Sequence, residues 1–250
     1  MGFLQNIFKK KKPIERVHED FSGLITDVHS HLIPGIDDGS KSLDESISLI
    51  LGLQSLGYKK IITTPHIMSD YYRNDKEGIL AGLKRLQEAI KLHKIDMEID
   101  AAAEYYLDSH FAELIKKKEI LSFGKNMVLF ELSFFEEPKL LDQIIFDLQL
   151  EGYQPVLAHP ERYAYWHRSF SHYEKLIDKG VMFQANLGSF SGNYGPEVMK
   201  TVGKLAENNW ISLLGSDTHH MMHIQLFRTL KTNQVIQRLL IDNNLLNSKL

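Results

Sequence analysis

From Leu24 onward, apolar runs of strand length alternate with apolar positions at helical spacing. The first run, Leu24–His31, ends in DVHSHL, and after a loop the pattern turns helical over Leu43–Leu56 and stops at Gly57. Ser42 and Glu45 have capping-box spacing for that helix. A second run, Lys60–His66 (KIITTPH), precedes a helical pattern over Lys76–His93. Met97–Tyr106 (MEIDAAAEYY) predicts a third strand, weakened by its alanines, and Ser109–Lys118 a helix. Met127–Ser133 (MVLFELS), Tyr153–His159 (YQPVLAH), Val181–Leu187 (VMFQANL) and Trp210–Asp217 (WISLLGSD) supply four more strands. Helices are predicted between them over Lys139–Glu151, His172–Lys179 and Pro196–Asn208, the first two stopped by Gly152 and Gly180. A long helical tail is predicted from about Gln225.

Strands alternating with helices imply right-handed βαβ units and a parallel sheet. Roughly seven such units in 250 residues suit a closed or nearly closed α/β barrel, with a doubly wound open sheet as the alternative. No GxGxxG or GxxxxGK[ST] pattern occurs, so nucleotide binding has no sequence handle.

Composition narrows the chemistry. With 43% hydrophobic and 24% charged residues the chain can bury a sizeable core, and no apolar run approaches the ~18 residues of a membrane span. The net charge of −3 gives no global case for nucleic-acid binding. Cysteine is absent, which excludes thiolate nucleophiles and Cys-based metal sites, so any metal must be held by His, Asp or Glu.

Such residues recur where strands end. Strand one ends at His29 and His31, strand two at His66, strand five at His159 and strand seven at Asp217, with His219 two residues on. Strands three and four supply Glu104 and Glu131, and the sixth ends in Asn186. In a parallel barrel these ends converge on one face, where active sites are built. On a regular strand Asp27, His29 and His31 share a face, at roughly 6.5–7 Å per two residues. Imidazoles and carboxylates aimed inward are costly to desolvate unless paired or metallated, so their convergence predicts a metal site. Taken singly each has a bland reading: a hydrogen-bonded His66, a salt-bridged Glu131, a loop acid at Glu104. His93, His167 and His172 lie in helical or loop patterns and read as surface or structural residues, while His220 and His223 lie near the expected site.

The ordered set HSH…DDG, TTPH, Glu104, Glu131, AHPER and SDTH resembles the PHP superfamily (polymerase and histidinol phosphatase). DVHSHLIPGIDDG and HPER are similar, more narrowly, to the manganese-dependent protein-tyrosine phosphatases of bacterial capsule and exopolysaccharide operons. The match runs from about Thr26 to the end. The resemblance implies a distorted (β/α)7 TIM-like barrel over residues 21–250 holding about three metal ions, Mn²⁺ by family habit, with Fe, Zn or Mg as alternatives. It places His29, His31 and Asp217 on a first metal, with Glu104 bridging to a second completed by His66 and Glu131, and Asp38, His159 and His219 on a third. Arg162 of HPER matches a residue that binds substrate phosphate, a task its planar fork suits. An Arg162–Glu161 surface pair is the structural alternative. Relatives commonly carry another Arg after SDxH, whereas here the run is HMMHIQLFR, leaving His220, His223 or Arg228 as substitutes. Asp38, Arg162 and His219 would then serve catalysis directly.

The activity implied is hydrolysis of phosphotyrosine by metal-activated water. The expected substrate is a membrane-associated bacterial tyrosine kinase of polysaccharide export, and the expected location is the cytoplasm, at the inner face of the membrane. A histidinol-phosphate-type phosphatase, a polymerase-associated nuclease (unsupported by the charge) and a non-catalytic metal-binding module are the competing readings. Residues 1–20 form a tail outside the resemblance. Phe3, Leu4, Ile7 and Phe8 beside the basic run Lys9–Lys12 fit either an amphipathic contact with an anionic membrane surface or a solubilising tail. A secretory signal is rejected because the charge follows the apolar residues.

Overall fold

The computed structural model of the chain describes residues 18–242 and 244–250, so the expected membrane-contacting tail lies almost wholly outside the described residues. Within them every strand-to-strand pairing is parallel. Strands β1 (Thr26–Asp27), β2 (Lys60–Thr63) and β4 (Glu98–Ala101) pair in that order. A second sheet follows the order β3 (His66–Ile67), β5 (Glu104–Tyr106), β6 (Met127–Glu131), β7 (Gln154–Ala158), β8 (Met182–Asn186) and β9 (Ile211–Gly215). The ring is completed between first and last strands by a parallel Ser30–Thr218 bridge, with Asp217 N donating to His29 O (2.7 Å) and His31 N to Thr218 O (3.0 Å). The seven strand positions expected from sequence thus form a distorted (β/α)7 ring.

Two of the expected strands are interrupted. KIITTPH breaks at Thr64–Pro65, where proline brings no N–H to a ladder, and MEIDAAAEYY breaks at Ala102–Ala103. The breaks let β3 and β5 re-pair in a register that sets His66 directly beside Glu104. The first strand is shorter than the apolar run, because Ile25 takes a left-handed φ of 63° and regular pairing covers only Thr26–Asp27. Regular pairing also ends at Asp27, so strand alternation does not carry through to His29 and His31. Val28 packs inside the ring with Ile62, Ala102, Leu129, Val156 and Leu213. Asp27 instead accepts bonds from Ser216 N (2.8 Å) and Ser216 Oγ (2.7 Å), which ties the first strand to the last.

Helices α1 (Leu43–Gln54), α2 (Lys76–Leu92), α3 (Ser109–Lys117), α4 (Leu141–Leu150), α5 (Ser171–Asp178) and α6 (Pro196–Glu207) follow the strands as expected. Glu45 N donates to Ser42 Oγ (3.2 Å), but the returning Glu45 carboxylate takes Lys41 N (2.8 Å), one residue before the capping-box partner. The long C-terminal helix is two helices, α7 (Met221–Leu230) and α8 (Gln234–Asp242). Asn233 Oδ1 accepts from Val235 N and Ile236 N, restarting the helix with a cap that the apolar spacing conceals. Residues of the expected tail reach this region, since Gln237 Nε2 donates to His18 O (3.1 Å).

Two glycines matter for close approach at the C-terminal mouth of the ring. A Cβ on Gly39 would stand 2.1 Å from His31 O, and one on Gly215 would stand 2.6 Å from His29 Cβ and 2.5 Å from Gln184 Nε2. Both flank the paired histidines, so the backbone must come within contact distance there. Gly215→Ala is expected to destabilise the fold by roughly 1–3 kcal/mol through overpacking, read as a fall in Tm. An unchanged Tm would contradict that packing.

Candidate metal centre

The strand ends deliver their polar side chains to one point. His29 Nε2 lies 3.0 Å from Glu104 Oε2 and 3.4 Å from Asp217 Oδ1; His31 Nε2 lies 3.4 and 3.5 Å from the same two oxygens. The two imidazole nitrogens are 3.3 Å apart. Outer partners fix both rings. His29 Nδ1 meets the Gln184 carbonyl oxygen (2.7 Å) and His31 Nδ1 the Asp37 carboxylate (2.8 Å). Each Nδ1 therefore donates, which leaves Nε2 as the nitrogen that faces the centre and would carry the lone pair toward a bound cation. Gln184 is held in turn by Asn186 Oδ1 (2.9 Å), and Asn186 Nδ2 donates to Asp217 Oδ2 (2.7 Å).

Around this core the other expected residues assemble. His66 turns Nδ1 toward Glu131 Oε1 (3.1 Å) and Glu104 Oε2 (3.3 Å), at ion-pair distance but without hydrogen-bond geometry. Its Nε2 points to Asp38 Oδ1 (3.6 Å), which also faces His219 Nε2 (3.3 Å). His159 Nε2 stands 3.1 Å from Glu104 Oε1 and 3.9 Å from Glu131 Oε2. The resemblance grouped His159 with Asp38 and His219; in the structure His159 Nε2 lies nearest Glu104 and forms a compact donor group with His29 and Asp217, while His66 belongs to one group with Glu104 and Glu131 and to another with His31, Asp38 and His219. Asp37 is distinct from Asp38: it is buried, accepts from Gly39 N and His66 N, and orients His31. Asp38 has a half-exposed side chain at the rim.

His159 (φ 34°) and Asp217 (φ 51°) both adopt left-handed backbone where their strands end. Residues held there away from glycine concentrate at functional sites. The donor set is imidazole nitrogen and carboxylate oxygen in interlocking groups, which fits borderline to hard divalent cations. A buried imidazole nitrogen facing two carboxylates without a hydrogen bond to either, as at His66 Nδ1, is the disposition of a ligand atom.

Electrostatics agree. Burial opposes charge on His29, but the Glu104 and Asp217 carboxylates overcome it and lift its pKa to about 9. His31 is raised well above 6.5 against burial, mainly by Asp37, while Glu104 and Asp217, also against burial, are held well below the usual range by the imidazoles. In the metal-free chain the imidazoles thus hold the protons that a cation would displace. Loading at pH 7 is expected to release protons into weakly buffered solution, with apparent metal affinity rising as pH rises from 7 toward the His29 value of about 9. The folded pKa of His29 exceeds its ordinary 6.5, so its stabilisation is full below pH 6.5 and lost through about 9. The Tm of chelated protein should fall across that window; affinity and Tm flat in pH would contradict the arrangement.

Arg162 stands at the edge of this cluster. Its Nη1 donates to Asp217 Oδ2 (3.2 Å), and its guanidinium lies against the rings of Phe134 (4.8 Å) and Tyr194 (4.7 Å). Glu161 is not its surface partner. That carboxylate is fully buried, accepts from Ser189 Oγ (2.6 Å) and Asn186 N (2.9 Å), and anchors the HPER turn. Arg228 reaches Ser55 Oγ (3.4 Å) at the C-terminal cap of α1 and does not line the cleft; His220 and His223 do. Burial, then neighbouring His220, press His223 down to about 4, so it is neutral near pH 7. The cleft has a volume of about 360 Å³ and opens over Asp38, Glu131, Arg162 and His219. A cavity of about 450 Å³ at the opposite end, between Lys60, Lys125 and Leu250, gathers no such ligand set.

Sequence reasoning missed Gln184, Asn186 (seen as a strand end, without a role) and Asp37 as supporting groups. Gln184 carried a readable signal, a lone amide on the inward side of an apolar strand. Asp37 carried none, since its loop has no periodicity.

A parallel ring whose C-terminal mouth gathers interlocking His and carboxylate ligands defines a metal-dependent hydrolase barrel. The chain belongs to the CpsB/CapC family of capsular polysaccharide synthesis, whose model matches residues 25–239. It is 30% identical over 232 residues to CapC of Staphylococcus aureus, covering 90% of each chain. It is 29% identical over 196 residues to the tyrosine-protein phosphatase YwqE of Bacillus subtilis, covering 78% of this chain and 77% of that one. Among solved structures it superposes with TM-score 0.78 on one described with YwqE of Bacillus subtilis and CpsB of Streptococcus pneumoniae as unique metal-dependent tyrosine phosphatases, at 28% identity over 85% of this chain and 86% of the other. A histidinol phosphate phosphatase of Lactococcus lactis shares the fold, with TM-score 0.52 and 14% identity over 84% of this chain and 93% of the other.

Proposed function

We propose that this chain is a metal-dependent protein-tyrosine phosphatase of capsular or exopolysaccharide synthesis. The observation that carries it is the convergence of four imidazoles on the Glu104 carboxylate, with Arg162 and a cleft at its open side. His29, His31 and Asp217 would hold one cation with Glu104, and Glu131 and His159 a second with Glu104. Asp38 and His219 would hold a third with His66, which also faces the second. Bound divalent ions would supply Lewis acidity toward the phosphate and an activated water as nucleophile.

The rest falls to the chain. Arg162 presents its N–H edge to the phosphate oxygens and neutralises charge as the P–O bond breaks. His220 and His223 supply the further polar contact where relatives carry Arg. Asp38 and His219, at the rim, are placed to manage the leaving phenolate, which has an ordinary pKa near ~10 and needs little protonation. We take Mn²⁺ as the resident ion, about three per chain, with Fe, Zn or Mg as the alternatives.

The substrate we propose is the phosphorylated tyrosine of a membrane-associated bacterial kinase. No helix among the described residues is long and apolar enough to cross a membrane. Residues 1–20 are assigned a peripheral contact with the inner face, at roughly 1 kcal/mol per basic residue. Deleting residues 1–12 should weaken binding to anionic vesicles; equal binding would leave the tail a spacer. The function is tested by assaying purified protein on a phosphotyrosyl peptide and on histidinol phosphate in parallel. Preference for the peptide supports the proposal, preference for histidinol phosphate replaces it, and metal content without turnover on either would mark a binding module.

A further inference from the structure

Phe134 leaves the ring three residues after Glu131, and Tyr194 lies between β8 and α6. Their rings sit against the same guanidinium, at 4.8 and 4.7 Å from its central carbon. Arg162 is therefore packed against aromatic carbon and offers its donors along its planar edge, one of which already serves Asp217. Phe134 also lies over His159, with ring centroids 5.7 Å apart and planes 23° from parallel. It thus touches both Arg162 and His159 and lines the cleft.

The exposure at this rim is unusual. Phe134 is 42% exposed and the adjoining Phe135 is 95% exposed, although each is a large apolar ring that folding could have covered. A lone exposed phenylalanine is ordinary; here Phe134 lines a charged cleft and the next residue, Phe135, is almost fully exposed, so the pair offers a contact surface beside it. Nothing in the metal chemistry needs them. Imidazoles and carboxylates already surround the reacting end, so the aromatic rim must act on whatever extends outward from the phosphate.

We infer that Phe134, with Tyr194 behind Arg162, forms an aromatic wall that selects aryl over alkyl phosphomonoesters, and that Phe135 extends this wall to the peptide beside the phosphotyrosine. This rests on the phosphatase reading above. With phosphate at the Arg162 edge, a phosphotyrosine ring passes out along the open side of Phe134. A phosphoserine reaches the same position only by drawing its own backbone into the cleft, and it brings no ring to the wall. Aromatic pairing of this kind is worth roughly 2- to 10-fold per contact, before counting the buried area.

The test compares metal-loaded wild type with Phe134→Ala, Phe134→Leu and Phe135→Ala. The substrates are phenyl phosphate and matched phosphotyrosyl and phosphoseryl peptides. Phe134→Ala should lower kcat/KM for both aryl esters by roughly 10- to 100-fold, mainly through KM, with a much smaller loss on the phosphoseryl peptide. Phe134→Leu, which keeps apolar bulk at a half-exposed position, should recover only part of that loss. Phe135→Ala should cost the phosphotyrosyl peptide several-fold more than phenyl phosphate. Equal proportional losses on aryl and alkyl esters, or a loss in kcat with KM unchanged, would overturn the wall and leave Phe134 as a support for Arg162. A metal-loaded wild type inert on all three substrates would instead overturn the phosphatase reading itself.

Discussion

Glu104→Gln is expected to abolish turnover more completely than any other single isosteric change in the cleft. The Glu104 carboxylate meets His29 at 3.0 Å, His31 at 3.4 Å, His66 at 3.3 Å and His159 at 3.1 Å. It is also buried, so its charge is poorly screened. The amide has the same shape, but it replaces one oxygen with an N–H₂ group pointed at imidazole lone pairs. Removing one preorganised electrostatic contact commonly costs about 10²–10³-fold in kcat. If Glu104 is shared by two cations as proposed, its loss should cost at least that, roughly 10³-fold or more, with metal content falling in parallel. A variant that keeps its full metal complement and loses less than tenfold would show that Glu104 does not bridge.

Arg162→Lys is expected to behave like Arg162→Ala, with kcat/KM lowered by about 10²-fold. Lysine keeps the charge and loses what the surroundings are built for. Phe134 and Tyr194 grip a flat group, and an ammonium has neither a plane to grip nor a fork for two phosphate oxygens. Recovery by Lys to within a few-fold of the wild type would reduce Arg162 to a point charge. The metal content of either variant should match the wild type, because Arg162 supplies no ligand atom.

The ring of strands was legible because buried parallel strands read as apolar runs, and the Gly and Asn stops punctuate them. The ligands were legible for a related reason: His66, Glu131, His159 and Asp217 are expensive residues at the ends of those runs. Which carboxylate each imidazole faces was not, because it depends on which way each ring turns. His159 leaves its strand with φ 34° and swings toward Glu104, and the break at Pro65 lets His66 face both Glu131 and Asp38. Neither twist has a period to betray it. Asp27 shows the converse error, since alternation predicted an inward carboxylate whereas regular pairing ends at Asp27 and Val28 packs inside the ring. The supporting layer of Gln184, Asn186 and Asp37 acts through single hydrogen bonds, which leave almost no mark on composition or spacing.

The central claim is that this cluster is a multi-metal centre that hydrolyses phosphotyrosine, and remetallation tests it most directly. Protein stripped with chelator is titrated with Mn²⁺ while phosphate release from a phosphotyrosyl peptide and bound metal are followed on the same samples. The account predicts no turnover in the stripped protein and activity that returns only as more than one ion binds, reaching its plateau at about three per chain. Full activity in stripped protein, or a plateau reached with a single ion bound, would contradict it.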